Sequence, residues 1–458
     1  MTTYSAVVTT GIYCRPGCGA RPLASNVRTF ELAAAAEAAG YRACLRCRPY
    51  RVSGPVDLGA PELVCQAVQM IIYGALDDGG TEAALAARAG VSARHLRRLF
   101  LQHLGATPDQ LARSRRAHFA RRLLDDTDLT VLDIAFASGF GSLRQFNRAM
   151  QEVFRASPTD LRRRRHRADR LVTDGGLALR LPVPPGYDWA AVRAFLGARA
   201  VPGVEAVDGP AYRRTITVAG AAGLIEVEPG GAGNLLLRVH LPYWEGLIHL
   251  VGRITRLLGA DADYAAGTAA LADDPVLGSL VGRRPGLAVP GAWSPFEAGV
   301  GALARRGRDP VAAVGWLGAF AGRLGAPVPG LPAGLTQAFP EPAEVTPARL
   351  AAAGIEAADA LAVTALAAAP DPARGPAGTH DGACGLDPDL REYLAFRAGR
   401  PEAFPLADPA LRAALAELSL PVAGSGPGPW AERWRPWLAL AAAHLMAHGD
   451  TLTGPAPG

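Results

Sequence analysis

The chain has 458 residues, too many for one ordinary hydrophobic core, and a length of roughly 150 residues per domain sets an expectation of about three domains. The formal net charge is +5, and every one of the 47 Lys-or-Arg positions is arginine, which excludes Schiff-base chemistry on a lysine amine and leaves only the N-terminus able to attempt it. No stretch reaches about 18 uninterrupted apolar residues, and the opening lacks a basic segment followed by an apolar one, so neither a membrane span nor a secretory leader is expected and the chain is read as cytoplasmic.

In chain order, the first fifty residues are broken by Gly and Pro, and Tyr4-Ser5-Ala6-Val7-Val8 predicts a small strand. Four of the six cysteines fall here within one 34-residue window, which in a reducing compartment points to metal binding or thiol chemistry and away from a disulfide framework. Cys14-x3-Cys18 and Cys44-x2-Cys47 are close pairs 25 residues apart, a spacing that lets two knuckles converge on one tetrahedral Zn²⁺. From the residues alone the site also reads as a purely structural clip for a head too small to fold on its own core. Cys65 and Cys384 stand alone and read as inert packing thiols.

Ser53-Gly54-Pro55 marks a joint, and from 61 to 167 the pattern turns helical, with Thr81 and Thr130 as caps and turns at Gly90 and Gly139. An internal repeat lies inside this block. Leu85-Ala86-Ala87-Arg88-Ala89-Gly90-Val91 overlays Ile134-Ala135-Phe136-Ala137-Ser138-Gly139-Phe140 at an offset of 49, and after one inserted residue the offset of 50 pairs Leu96 with Phe146 and Pro108 with Pro158. Each copy reads as a helix-turn-helix whose second helix enters the major groove, at 93–104 in the first copy and 142–154 in the second. Arg94, Arg97 and Arg98, then Arg144, Gln145, Asn147 and Arg148, are the candidate DNA contacts. Arg pairs with guanine and Asn or Gln with adenine, while several of these side chains are expected to reach only phosphate. Residues 92–122 hold eight Arg against a single Asp, a concentration of positive charge suited to a polyanion, the plainer reading being a solvated helix face.

Residues 161–167 carry five Arg and a His, and Thr173-Asp174-Gly175-Gly176 reads as a linker. Beyond it, alternation at Leu177, Leu179 and Leu181, at Ile225 and Val227, and at Leu235, Leu237 and Val239 predicts strands with helical segments between them, while 293–450 reads as mostly helical.

Three resemblances sharpen this outline. Thr9-Thr10-Gly11-Ile12-Tyr13-Cys14-Arg15-Pro16-Gly17-Cys18, Asn26-Val27-Arg28 and Ala38-Ala39-Gly40-Tyr41-Arg42-Ala43-Cys44-Leu45-Arg46-Cys47 closely resemble the methyl-acceptor domain of the Ada alkylation-response family. That resemblance implies that Cys14 accepts a methyl group from a DNA methylphosphotriester, with Cys18, Cys44 and Cys47 completing the zinc shell. The chemistry is sound, because zinc keeps the thiol deprotonated at neutral pH and the thiolate is the attacking species. Four thiolates on Zn²⁺ sum to about −2 and methylating one leaves about −1, an electrostatic switch that tightens binding to the phosphate backbone. Leu132-Asp133-Ile134-Ala135-Phe136-Ala137-Ser138-Gly139-Phe140, followed by Gln145-Phe146-Asn147-Arg148 and Ala156-Ser157-Pro158, is similar to the AraC-type DNA-binding domain over about 62–165. It implies a transcriptional activator of double-stranded promoter DNA, with RNA polymerase as partner.

Val201-Pro202-Gly203-Val204-Glu205, Tyr212-Arg213-Arg214, Pro290-Gly291-Ala292-Trp293 and Ala403-Phe404-Pro405-Leu406-Ala407-Asp408 are similar to the AlkA branch of DNA glycosylases, as is Glu432-Arg433-Trp434-Arg435-Pro436-Trp437. The likeness implies hydrolysis of the N-glycosidic bond of alkylated purines, with Asp408 as the catalytic carboxylate and Tyr393 as a pocket aromatic. Trp434 and Trp437 read as core. With no lysine in the chain, a monofunctional glycosylase is implied. In the stretch Gly382-Ala383-Cys384-Gly385-Leu386-Asp387-Pro388-Asp389, Asp387 and Asp389 stand where the branch has the second Gly of a phosphate-binding hairpin and a pocket Trp, and Met446 stands where a further Trp is expected. A methylation-sensing regulator with a non-catalytic glycosylase-like domain therefore stays open as the alternative. The expected fold is multidomain α+β: a small zinc-bound α/β head at 1–52, an all-α tandem helix-turn-helix domain at 60–167, an α+β subdomain at 177–290 and a helical helix-hairpin-helix glycosylase-like domain at 291–450.

Overall fold

The computed structural model describes residues 3–453 apart from 21, 52–59, 78, 167–168, 172–175, 232, 333, 370–385 and 423–426. Two units divide the described residues: one comprises those of Met1–Val183 and Tyr243–Arg253, the other those of Pro184–Pro242 and from Ile254 onward.

The first unit opens with β1 (Tyr4–Val7), β2 (Ile12–Cys14), β3 (Val27–Phe30), α1 (Ala33–Ala38) and β4 (Arg42–Ala43). The strands form one sheet in the order β3-β1-β2-β4. β1 runs antiparallel to both β2 and β3, and β2 pairs in parallel with β4, so the strand that ends at Cys14 is held on both edges. Gly11, at a φ of 63°, makes the tight turn into β2 that a side chain would resist.

Seven helices follow: α2 (Glu62–Ile72), α3 (Glu82–Arg88), α4 (Ala93–Leu104), α5 (Pro108–Asp126), α6 (Val131–Ala137), α7 (Leu143–Phe154) and α8 (Pro158–Arg163). Their starts are written in side chains. Thr81, Ser92, Thr107, Thr130, Ser142 and Ser157 each cap a helix by accepting a hydrogen bond from a backbone N–H of its first turn. Ser142 was expected inside the second recognition helix; it is instead the cap just ahead of it, because its hydroxyl is engaged by the Gln145 N–H. Leu85, Leu96, Phe100 and Leu104 join Val64, Val68 and Ile71 of α2 and Leu32 and Ala35 of the head in one buried cluster. Each such apolar side chain contributes about 1.5–3 kcal/mol through burial. β5 (Leu177–Pro182) also belongs to this unit.

The second unit holds α9 (Trp189–Ala198) and the antiparallel meander β6 (Glu205–Asp208), β7 (Ala211–Val218), β8 (Ala221–Pro229) and β9 (Asn234–His240). α10 (Leu247–Leu257) belongs to the first unit as far as Arg253, and from Ile254 the second unit continues through α11 (Ala265–Ala272), α12 (Gly278–Arg283), α13 (Pro295–Arg305), α14 (Pro310–Leu324), α15 (Pro347–Ala352) and α16 (Ala357–Ala368). It ends with α17 (Pro388–Arg397), α18 (Pro409–Glu417) and α19 (Leu438–Thr453). Phe296, Val300 and Leu303 of α13 lie in a core shared with Leu317 and Phe320 of α14 and Val363 and Leu366 of α16. The strands at 177, 225 and 235 fall where alternation placed them; β7 was not legible because Arg214 occupies a fully buried position in it. No helix among the described residues is long and apolar enough to cross a membrane.

The two repeats differ in how tightly their turns are packed. Gly90 and Gly139 have φ of 72° and 77°, but a Cβ on Gly90 would meet nothing within 4 Å while one on Gly139 would lie 3.0 Å from Asp77 Oδ2. Gly90→Ala should cost only the left-handed strain of about 1–2 kcal/mol, and Gly139→Ala should cost more. Denaturant midpoints of the two variants in the reverse order would contradict this.

Candidate functional site

The Sγ atoms of Cys14, Cys18, Cys44 and Cys47 all lie within 4.8 Å of one another. A Zn²⁺ with Zn–S bonds of about 2.3 Å needs sulfurs about 3.8 Å apart, so the cluster fits a single tetrahedral ion. Cys14, at the end of β2, is buried and the other three are half-buried. Gly17, at a φ of 70°, turns the chain between the first pair, and the Cys47 N–H donates to Cys44 Sγ at 3.5 Å across the second. Burial, and then the neighbouring Cys47 and Cys44, push the Cys14 thiol well above its ordinary value; burial raises Cys47 in the same way. Cys44 moves down despite burial, because backbone N–H groups of Cys47 and Arg46 stabilise its thiolate. Burial thus disfavours the thiolate at Cys14 and Cys47, and a bound divalent ion would offset that cost and supply the thiolate state.

On the reader, Arg94, Arg97 and Arg98 of α4 are exposed, and Leu96, Phe100 and Leu104 of the same helix are buried, so the cationic face points outward. With Glu82, Ala93 and Leu101 these arginines line an open concavity of about 440 Å³. Arg144, Gln145, Asn147 and Arg148 of α7 are likewise exposed above buried Phe146, Ala149 and Met150. Arg148 pairs with Glu152 at 2.9 Å, and Glu152 is also held by Arg113 at 2.7 Å.

In the second unit Asp408 caps α18 and is buried. Its Oδ1 accepts from the N–H groups of Ala410 and Leu411 at 3.0 and 3.3 Å, and its Oδ2 lies 3.5 Å from Arg199 Nη2. Arg199 also bonds Asp450 at 2.9 Å and lies 3.9 Å from the centroid of the Phe195 ring. Tyr393 is buried, and its hydroxyl accepts from Arg305 at 3.1 Å and Arg397 at 2.9 Å. Against burial, these guanidiniums move its phenol below the ordinary value. A small cavity close by is lined by Arg199, Arg214, Trp293, Glu297, Arg305 and Arg397 among others.

Known proteins resemble this chain over each of these regions. The metal binding domain of Ada matches residues 2–50, a helix-turn-helix domain matches 85–164, and the AlkA N-terminal domain matches 178–294. A probable bifunctional transcriptional activator/DNA repair enzyme AlkA of Mycobacterium tuberculosis is 36% identical over 461 residues, covering 96% of this chain and 91% of that one. The chain belongs to this bifunctional activator/repair family. The bifunctional transcriptional activator/DNA repair enzyme Ada of Escherichia coli is 33% identical over 150 residues, 32% of this chain and 40% of its own length. The 3-methyladenine DNA-glycosylase of Archaeoglobus fulgidus is similar in fold, with a TM-score of 0.50 and 18% identity over 60% of this chain and 99% of that one.

In this family member the four cysteines named from spacing converge, and the seven reader residues are each exposed. Asp408 and Tyr393 both lie near Arg199, and two further guanidiniums lie 6.0 and 5.8 Å from the centroid of the Tyr393 ring. Trp434 is core, donating to Asp274 at 2.9 Å, whereas Trp437 is half-buried, packed where a Cβ on Gly267 would sit. Of the altered hairpin, Gly382-Ala383-Cys384-Gly385 lies outside the described residues. Asp387 caps α17, accepting from the Asp389 N–H at 2.8 Å, and pairs with Arg306 at 2.8 Å. Met446 is fully buried in α19. Arg199, Arg305 and Arg397 were not singled out from sequence; the one available signal was the helical spacing of Tyr393 and Arg397, since Arg199 reaches Asp408 across more than 200 residues of chain.

The raised thiols carry a prediction about zinc uptake. Near pH 10 ordinary thiols are largely ionised, so binding would release few protons; Cys14 and Cys47 should remain protonated there and release about two, when zinc is added as a chelate whose own proton balance is subtracted, since free zinc is hydrolysed at this pH. Calorimetry in buffers of different ionisation enthalpy reads that number directly, and release of fewer than one would contradict the raised values.

Proposed function

We propose that the chain takes a methyl group from a DNA methylphosphotriester onto Cys14 and that the reader converts this event into transcription of repair genes through RNA polymerase. We further propose that the C-terminal half releases alkylated purines from DNA with Asp408 as its carboxylate. The observation that carries the first part is the buried Cys14 among three half-buried cysteines, in one unit with two outward-facing arginine-rich helices. In the transfer the Cys14 sulfur attacks the methyl carbon; the S–C bond forms, the C–O bond breaks, and the electron pair stays on the phosphate oxygen as a diester anion. Zinc, when bound, supplies the deprotonated thiol. Methylation removes one negative charge from the head, which favours approach to the phosphate backbone. The thioether product makes the reaction single-turnover.

For base release, the buried Asp408 carboxylate is held by two backbone N–H groups at the start of α18, where it would oppose positive charge developing on the sugar. The base must first be flipped out of the duplex. The absence of lysine supports hydrolysis without a Schiff base. The family relatives' descriptions as activator and repair enzyme support the combined reading, and such a protein works in the cytoplasm. A second reading, a methyl-sensing activator with a non-catalytic C-terminal half, is favoured by the guanidiniums on Tyr393 and the partial neutralisation of Asp408 by Arg199, since a cationic purine would meet like charge.

For the reader, Arg94→Ala should weaken binding to all duplexes and lower the salt dependence by about one phosphate's worth, whereas Asn147→Ala should relax base preference at one position. Equal effects of both on every sequence would remove the proposed division between phosphate and base contacts. For excision, single-turnover release of alkylated purines should fall at least about a hundredfold in Asp408→Asn. No release by zinc-loaded, folded wild-type protein would overturn excision and leave the activator.

A further inference from the structure

The methyl-acceptor strand is joined to the reader by a buried polar contact that neither reading uses. Tyr13 precedes Cys14 on β2, and its side chain is fully buried. Its O–H donates to Glu37 Oε1 at 2.6 Å, and Glu37 lies on α1. His118 of α5 places Nε2 2.7 Å from the same carboxylate oxygen and 3.0 Å from the Tyr13 oxygen. A carboxylate oxygen can only accept, so the Tyr13 phenol is the donor in this contact. With that proton committed to Glu37, Nε2 faces two oxygens and must carry a proton of its own; a lone pair there would be repelled.

The other side of the His118 ring belongs to the reader. It packs against Phe154, the last residue of α7, at 5.7 Å between centroids, and against Tyr50 at 6.4 Å. Tyr50 in turn packs on Phe154 and donates to Asp125 of α5 at 2.7 Å. At the head end, the Tyr13 carbonyl accepts from the N–H of Cys44 at 2.9 Å, so Tyr13 is bound both to Cys14 by the chain and to a second sulfur ligand by a hydrogen bond. A methyl group added to a cysteine only 6% exposed needs room in this close-packed region, and Tyr13 offers two connections for that adjustment, the chain bond to Cys14 and the hydrogen bond from Cys44.

We propose that Tyr13, Glu37 and His118 couple the state of Cys14 to the second recognition helix, with His118 as a positioning residue for both. This rests on the reading of Cys14 as a methyl acceptor, and it adds a specific route to the charge change. Charge alone acts at any point of the head's surface; the contact acts only through α5 and α7. By linkage, whatever methylation does to DNA affinity through this route, bound DNA does to the acceptor strand by the same factor.

The test uses the full zinc-loaded chain, methylated with a duplex carrying one methylphosphotriester, and duplex sites that the methylated wild type selects from a random pool. The quantity read is the ratio of DNA affinities after and before methylation, expected at roughly 5- to 150-fold in the wild type. Tyr13→Phe removes only the hydroxyl, and His118→Phe keeps the ring against Phe154 and Tyr50 but removes the donor; both should take up zinc and methyl normally while the ratio falls several-fold. His118→Gln, which retains an N–H donor, should restore much of it. A merely structural role would lower both affinities together and leave the ratio unchanged, and an unchanged ratio in methylated Tyr13→Phe overturns the coupling even if His118→Phe fails to fold. If the wild type itself takes up no methyl group, the acceptor reading falls and the inference with it.

Discussion

Four sulfurs drawn within 4.8 Å of one another are the constraint on which the first unit turns. They sit in a head whose described strands are two to four residues long and whose α1 has six residues, far too little to bury a core alone. Zinc resolves the mutual repulsion of the thiols and closes the two knuckles at once, and the apolar side of the head is completed from outside, by sharing Leu32 and Ala35 with the core of the reader. The head is therefore not an appendage. Helix α5 receives most of this dependence: Arg121 and Asp125 form a buried pair on it at 2.8 Å, Tyr50 donates to Asp125, and Arg48 bonds Asp169 at 2.7 Å beside them. Charges buried this way are costly if one partner is lost, which favours a single arrangement of head and reader.

A different economy of charge governs the second unit. Arg214, buried in β7, is held by both oxygens of Glu297 at 2.8 and 3.0 Å and by Glu205 at 3.3 Å, while Arg397 bonds the carbonyl of Gly291 and the hydroxyl of Tyr393. Asp408 lies near one end of this network and depends on Arg199 and on the start of α18 for its charge balance. Arg305 and Arg397, which bond the hydroxyl of Tyr393, set positive charge beside that ring, and Arg199 sets it beside Asp408. Positive charge so placed favours an anion and opposes a cation at this place in the fold.

Much of this was readable in the amino-acid sequence because the relevant chemistry is local. Cysteine spacing fixes a metal site within a few residues, Thr81 and Thr130 announce helices by their position ahead of an apolar period, and the 49-residue offset exposes the duplication before any coordinate is known. The first recognition helix runs over 93–104 as expected. What stayed illegible is what the tertiary fold alone brings together. Tyr13 and His118 are 105 residues apart, Arg199 and Asp450 are 251 apart, and no periodicity connects them. β7 was hidden for a related reason: a buried arginine breaks the alternation of a strand, and its bidentate partner Glu297, 83 residues on, helps make it tolerable.

The duplicated reader is unequal at one small point. Helix α4 ends on Gly105 at a φ of 65°, the left-handed conformation glycine accepts freely, whereas α7 ends on Arg155 at a φ of 53°, where a side chain is disfavoured. The final turn of the second copy is thus held by its surroundings more than by its own backbone preference, and Phe154, beside His118, is the residue just ahead of it. In the slow breathing of the native state, that turn is where the second copy should fray first, and amide exchange would report the two halves of an ancient doubling aging at different rates.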